Sequence, residues 1–303
     1  GRADKLRHTA QIGGHDRQAI GQGHHIRPPA NAMTTSTRPS PQGRRVSLFA
    51  TCMVDMLYPG TAMSVVEVLE HLGLTVDFPA GQTCCGQPAF NGGYRRQARR
   101  VALQFLRTFE AAEVIVAPSG SCVAMVRHEF PHLFADDPRW AATARRLADI
   151  TWELTEFIID GLGIADLHGR LPAPRTIAFH DACHGLRLLG LGAAGRVLVG
   201  NLDNATVVDW DHSAVCCGFG GLFSVKMADL SGAMLQKKID HIEQAAVETI
   251  VTGDVSCLTH INSGLEKQGH PARVVHVADL LAEGIRHCLL YTSPSPRDGL
   301  LSR

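Results

Sequence analysis

Along residues 46–287 the hydrophobic and polar positions fall into two alternating kinds of run. Short, nearly unbroken apolar stretches (Val46 to Ala50, Leu74 to Phe78 and Val114 to Ala117) are too brief for helices and predict buried strands. Between them, Ala62 to Leu72 carries apolar residues at helical spacing with Gly73 placed to stop it, and Tyr94 to Phe109 reads as a charged amphipathic helix. The same order then returns. Thr176 to Phe179, Ala205 to Val208 and Thr249 to Thr252 predict strands, with a helix from Phe223 to Gln244 before the last of them. Arg139 to Ile159 reads as one helix bridging the two runs, and Gly161 to Pro174 as a linker. Strand alternating with helix predicts an α/β fold of two duplicated units, each a mostly parallel sheet with flanking helices. The organisation expected is a first unit at 46–160, a linker at 161–174 and a second unit at 175–287.

Both ends break the pattern. Residues 1–45 show no hydrophobic period and are rich in Gly, His, Arg, Pro and Thr. A disordered leader is expected there, with Gly1 to Ala32 translated from upstream sequence and the natural start at Met33. The run from Cys288 through Ser293, Pro294, Ser295, Pro296, Arg297 and Asp298 resembles a translated sequencing adapter, so 288–303 is expected to be a foreign tail.

Composition narrows the function. Of 303 residues 45% are apolar and 19% charged, enough to bury a sizeable core. Lys+Arg and Asp+Glu both number 29, which argues against a nucleic-acid binder working by bulk phosphate neutralisation and against a polybasic membrane anchor. No apolar run approaches the ~18 residues of a membrane span. Nine cysteines are too few for a disulfide scaffold, and with no signal-peptide pattern a reducing cytoplasm is expected, where thiols are free to bind metal.

Eight of those cysteines repeat in register. Cys52, Cys84, Cys85 and Cys122 are separated by steps of 32, 1 and 37 residues; Cys183, Cys216, Cys217 and Cys257 by 33, 1 and 40. Matching members lie 131 to 135 residues apart, and a glycine, Gly86 or Gly218, follows each adjacent pair. Every one falls at or just after the carboxyl end of a predicted strand, where open α/β sheets collect their ligands. Two equivalent pockets, one per unit, are therefore expected. Adjacent cysteines suit a single tetrahedral zinc ion poorly. They fit a polynuclear iron–sulfur centre better, and the glycines let backbone N–H groups approach its sulfides. Zinc and purely structural thiols remain the alternatives. His180, His184 and Arg187 flank Cys183 and are weak candidates for proton relay, iron ligation or carboxylate binding. Gly218 to Gly221 lacks the lysine and serine of a phosphate loop.

This cysteine arrangement resembles the CCG domain of heterodisulfide reductase catalytic subunits and of the iron–sulfur subunits of glycolate and glycerol-3-phosphate oxidoreductases. The segments Phe49 to Asp55 and Gly81 to Asn91, with His180 to His184 and Cys216 to Gly221, are similar to the A subunits of bacterial L-lactate utilisation complexes. The resemblance spans Val46 to Arg286. It implies a cytoplasmic oxidoreductase subunit for converting L-lactate to pyruvate, carrying one or two 4Fe–4S clusters on the eight cysteines. It also implies a ferredoxin-like B subunit and a C subunit as partners. The superfamily pattern ends each half in Cys-x-x-Cys, whereas this chain has Ser119 before Cys122 and Asp254 before Cys257. Both are candidate oxygen ligands, and the five-cysteine ligation of non-cubane clusters is in doubt. Two rivals stay open: a heterodisulfide or thiol–disulfide reductase, and a zinc-stabilised scaffold.

Overall fold

The computed structural model describes residues 41–292. The expectations for the leader before residue 41, including a start at Met33, and for the tail from residue 293 lie outside the described residues. Cys288 falls within the helix Val277–Thr292.

Among the described residues, eight strands form two four-stranded parallel sheets. The first holds β1 (Val46–Leu48), β2 (Val76–Asp77), β3 (Val114–Ala117) and β4 (Thr151–Glu153), in the order β2-β1-β3-β4. The second holds β5 (Arg170–Phe179), β6 (Asp203–Val208), β7 (Thr249–Thr252) and β8 (Arg273–His276), in the order β6-β5-β7-β8. The orders are identical once the second set is renumbered, so the duplication written in cysteine is a duplication of topology. Val46 of β1 pairs with Val114 of β3, and Ile177 of β5 with Thr249 of β7. Parallel sheets need both faces covered. The helix Arg95–Thr108 shows how the sequence does this: Ala98, Ala102, Phe105 and Leu106 are buried along one face while Arg96, Arg100 and Arg107 look outward. The helix Pro59–His71 starts on a proline, whose missing N–H costs nothing in a first turn.

The helix expected from Phe223 to Gln244 is broken at Met227 into Leu222–Lys226 and Ala228–Ala245, and three further details differ from the sequence reading. The bridging helix is confined to Ala141–Ile150, and Thr151, Trp152 and Glu153 leave it to run extended beside Ile115, Val116 and Ala117. A β-branched and an aromatic residue favour the strand, but three residues are too few to register against the helical spacing around them. The strand β8 also differs: it runs straight into the helix from Val277, and its apolar residues merge with that helix's spacing. β5 begins at Arg170, inside the stretch read as linker, and its pairing with β6 is irregular between Arg170 and Arg175, where Pro172 and Pro174 interrupt the ladder.

The two sheets are not independent. One continuous core joins Val46, Leu48 and Val65 of the first unit to Ile177, Phe179, Val251 and Val277 of the second. The helix Val277–Thr292 packs on Pro59–His71 across the boundary. There Thr61 Oγ1 donates to Asp279 Oδ2 at 2.8 Å, and Arg286 pairs with Glu67 at 2.6 Å. Each fully buried Val, Leu or Phe contributes about 1.5–3 kcal/mol, so this common core, more than its polar rim, sets the mutual orientation of the units.

Glu153 ends β4 and His276 occupies the matching place at the end of β8. Glu153 is 1% exposed; its Oε2 accepts from Thr155 N at 2.7 Å and Glu156 N at 3.2 Å, while Oε1 has no partner. Burial pushes its carboxyl from the ordinary 4.5 up to about 7. A carboxyl raised on folding contributes stability that is complete below about 4.5 and is lost as pH rises through about 7. Glu153→Gln keeps the capping oxygen and removes the titration. The melting temperature of the variant relative to wild type is expected to rise steadily between pH 5 and pH 8 in thermal unfolding, and a difference independent of pH contradicts the assignment.

Candidate metal centre

Each strand that delivers a thiol does so from its carboxyl end. Cys52 opens the short helix Cys52–Leu57 after β1, Cys84 and Cys85 lie in the loop after β2, and Cys122 sits in the first turns of Gly120–Ala124 after β3. Cys183, Cys216, Cys217 and Cys257 hold the matching places after β5, β6 and β7. Parallel pairing puts all these ends on one edge of each sheet, so thiols separated by dozens of residues meet. Cys85 Sγ lies 3.4 Å from Cys122 Sγ, and Cys217 Sγ lies 3.3 Å from Cys257 Sγ. Cys52 hydrogen-bonds Cys84, and Cys183 hydrogen-bonds Cys216. None of the cysteines is in a disulfide.

The expected pair of separate pockets is replaced by one. A cavity of about 350 Å³ between the units is lined by all eight cysteines, together with Thr51, Gln87, Leu222 and Asp254. The reason is the packing: the loops after β3 and β7 meet across the boundary in an isolated antiparallel bridge between Ser119 and Asp254, which turns the two thiol edges toward each other.

Backbone geometry tightens both quartets. Gly86 (φ +86°) and Gly218 (φ +91°) adopt left-handed conformations and point their N–H groups at Cys84 Sγ and Cys216 Sγ, 3.4 Å away in each case. A Cβ on Gly218 would come within 2.8 Å of Met234 Cβ and Ser231 O, so only glycine fits. Hydrogen bonds from neighbouring thiols and these amides hold Cys84 down at about 3 and Cys216 at about 2. The donating thiols of Cys52 and Cys183 are pushed up, as is Cys217 by the thiols beside it and by burial. Each quartet thus favours one thiolate and keeps further protons ready to be displaced by a metal.

The donor set fits a metal or cluster. Soft thiols arrive four at a time. Each half also has a buried polar atom with no protein partner beside its quartet: Thr51 Oγ1 in the first, His180 Nε2 in the second. Thr51 is held at φ 68° although β-branched, a strained conformation of the kind that collects at functional sites. The sulfur contacts are closer than the ~3.8 Å set by Zn–S bonds of ~2.3 Å at a tetrahedral angle. Any metal spreads these sulfurs, and the cavity is the space into which they open.

The candidate oxygen ligands have another task. Asp254 Oδ2 accepts from Ser121 N at 2.9 Å and Ser119 Oγ at 3.2 Å, and its Oδ1 accepts from Ser256 N at 3.1 Å. Ser119 and Asp254 cap the helices carrying Cys122 and Cys257 and tie them together. Among the weak candidates, His180 is 2% exposed and lies against the second quartet, with burial pushing its imidazole down to about 3. His184 Nδ1 stands 3.5 Å from Cys183 Sγ. Arg187 is exposed and does not line the cavity. One participant went unread: Lys238, fully buried, donates from Nζ to His212 O at 2.7 Å and Ser213 O at 3.1 Å over the Trp210 ring. Burial lowers its ammonium to about 8. The duplication held the signal, because the offset of 132 puts Leu106 opposite it in the first half.

A family profile for the cysteine-rich CCG domain matches the chain twice, at residues 46–127 and 177–262. Lactate utilization protein A of an Exiguobacterium species is 49% identical over 243 residues, covering 80% of this chain and 98% of that protein. Its counterparts in a Geobacillus species and in Macrococcus caseolyticus are each 44% identical over 78% of this chain, covering 98% and 96% of theirs. A solved structure of a hypothetical protein from Helicobacter pylori matches with a TM-score of 0.50 at 12% identity, covering 85% of this chain and 53% of that one, a likeness of fold alone. The chain belongs to the cysteine-rich CCG domain family and, within it, to the lactate utilization A proteins.

Replacing Asp254 with alanine strips acceptors from Ser121 N and Ser256 N at once. Denaturant unfolding is expected to show a loss of about 2–3 kcal/mol, with Asp254→Asn losing less. A change within about 0.5 kcal/mol contradicts the bridging role.

Proposed function

We propose that each thiol quartet holds an iron–sulfur centre and that the chain is an electron-transferring subunit of an L-lactate-oxidising system. The observation that carries this reading is the convergence of two cysteine quartets on one cavity in a chain of the lactate utilization A family. Bound clusters supply one-electron acceptance. Oxidation of L-lactate to pyruvate releases two electrons and two protons, so a pair of centres matches the electron count. The residues of the chain do the rest: the cysteines ligate, the Gly86 and Gly218 amides donate to Cys84 and Cys216 sulfur and so favour the reduced state, and the Ser119–Asp254 bridge holds the two halves in register. The ferredoxin-like B subunit and the C subunit implied by the resemblance are the partners of this reading, in the cytoplasm. No helix among the described residues is long and apolar enough to cross a membrane.

Anaerobic purification followed by iron and acid-labile sulfide determination tests it. Brown protein with both is expected, and Cys85→Ser and Cys217→Ser are each expected to lower the iron content by about half. Cells carrying Cys85→Ser are expected to lose growth on L-lactate while keeping growth on other carbon sources. Colourless protein containing zinc overturns the electron-transfer reading in favour of a scaffold, and lost disulfide metabolism with lactate growth intact favours a thiol–disulfide reductase.

A further inference from the structure

We propose that His180 is a metal ligand of the second quartet, so that the two centres sharing the cavity differ in donor set. This deepens the iron–sulfur reading and rests on it for the identity of the metal. One ring nitrogen of His180 and the Sγ atoms of Cys217 and Cys257 all lie within 4.8 Å of one another. The ring's two nitrogens are already distinguished. Nδ1 is 3.2 Å from the carbonyl oxygen of Ser213, an acceptor only, so Nδ1 carries the proton and donates. Nε2 therefore presents a lone pair, is buried and has no hydrogen-bond partner. A lone pair left without a partner at this depth is costly unless a cation or proton faces it. Imidazole locked through its other N–H to a backbone carbonyl is the arrangement in which ligating histidines are held.

The backbone fixes the ring's position. His180 N donates to Val251 O at 2.8 Å, and Trp210 Nε1 donates to the preceding carbonyl, that of Phe179, at 2.6 Å. Metal–nitrogen bonds of ~2.0–2.1 Å and metal–sulfur bonds of ~2.3 Å fit within the observed envelope. The first half offers nothing comparable. Three residues before Cys52, where the second half has His180, stands Phe49, whose ring meets Phe105 edge-on at 4.9 Å. Lys238 against Leu106 extends the same contrast.

The test uses the full chain purified anaerobically, with iron and sulfide measured before anything else. Pulsed EPR on reduced protein labelled with ¹⁵N-histidine is expected to show a directly bound nitrogen. That coupling is expected to vanish in His180→Cys, which exchanges nitrogen for sulfur at near-wild-type iron content, and to survive in His184→Gln. Iron-loaded wild type without the coupling, or coupling that persists in His180→Cys, overturns the proposal while leaving the iron–sulfur reading intact. Should the protein contain zinc instead, the iron–sulfur reading falls. X-ray absorption then decides the ligand: a nitrogen shell lost in His180→Cys supports it, and an all-sulfur shell overturns it. Protein that takes up neither metal overturns both.

Discussion

Gathering eight thiols around one cavity is the constraint on which the rest of the molecule turns. Sulfur donors from six loops meet only if the strands that deliver them end on the same edge, which parallel pairing enforces within each sheet. They face one another across the boundary only if the two sheets are oriented together, which the common core running from Val46 to Val277 does. Each unit thus supplies one wall of the cavity, and the second copy supplies the other.

The cost of that arrangement is visible where the backbone departs from ordinary conformations. Thr51 sits at φ 68° immediately before Cys52, and Gly86 and Gly218 turn left-handed directly after the adjacent pairs. Each of these bends aims a sulfur or an amide at the cavity. The helix caps carry a related compromise: Asp254 serves the second unit's helix and the first unit's loop at once. Ser119 and Asp254 together form a polar clasp at the centre of the boundary.

Much of this was legible before any coordinates. The cysteine register exposed the duplication, and the apolar runs from Val46, Val114, Thr176 and Thr249 marked strands that form. Those runs are nearly unbroken because parallel strands are buried on both faces. Two strands were not legible: Thr151–Glu153 and Arg273–His276 run directly into helices, and their apolar residues merge with the helical spacing beside them. Nor was the merger of two expected pockets into one, since sequence spacing reports which residues recur and not how repeated units pack. Lys238 hid inside an amphipathic helix, where a lysine ordinarily marks the solvent side; only comparison with Leu106 sets it apart.

The asymmetry between the halves follows from the same duplication. Phe49, Phe105 and Phe109 back the first quartet with aromatic rings, whereas His180 and Lys238 back the second with a nitrogen base and a cation. Once two copies share a cavity, neither needs to do the other's work. Anomalous diffraction at the iron edge, on crystals grown anaerobically, tests the shared cavity most directly. Two iron peaks are predicted on opposite walls of one chamber, one beside Cys84 and one beside Cys216; a single peak, or iron bound away from these thiols, would contradict the account.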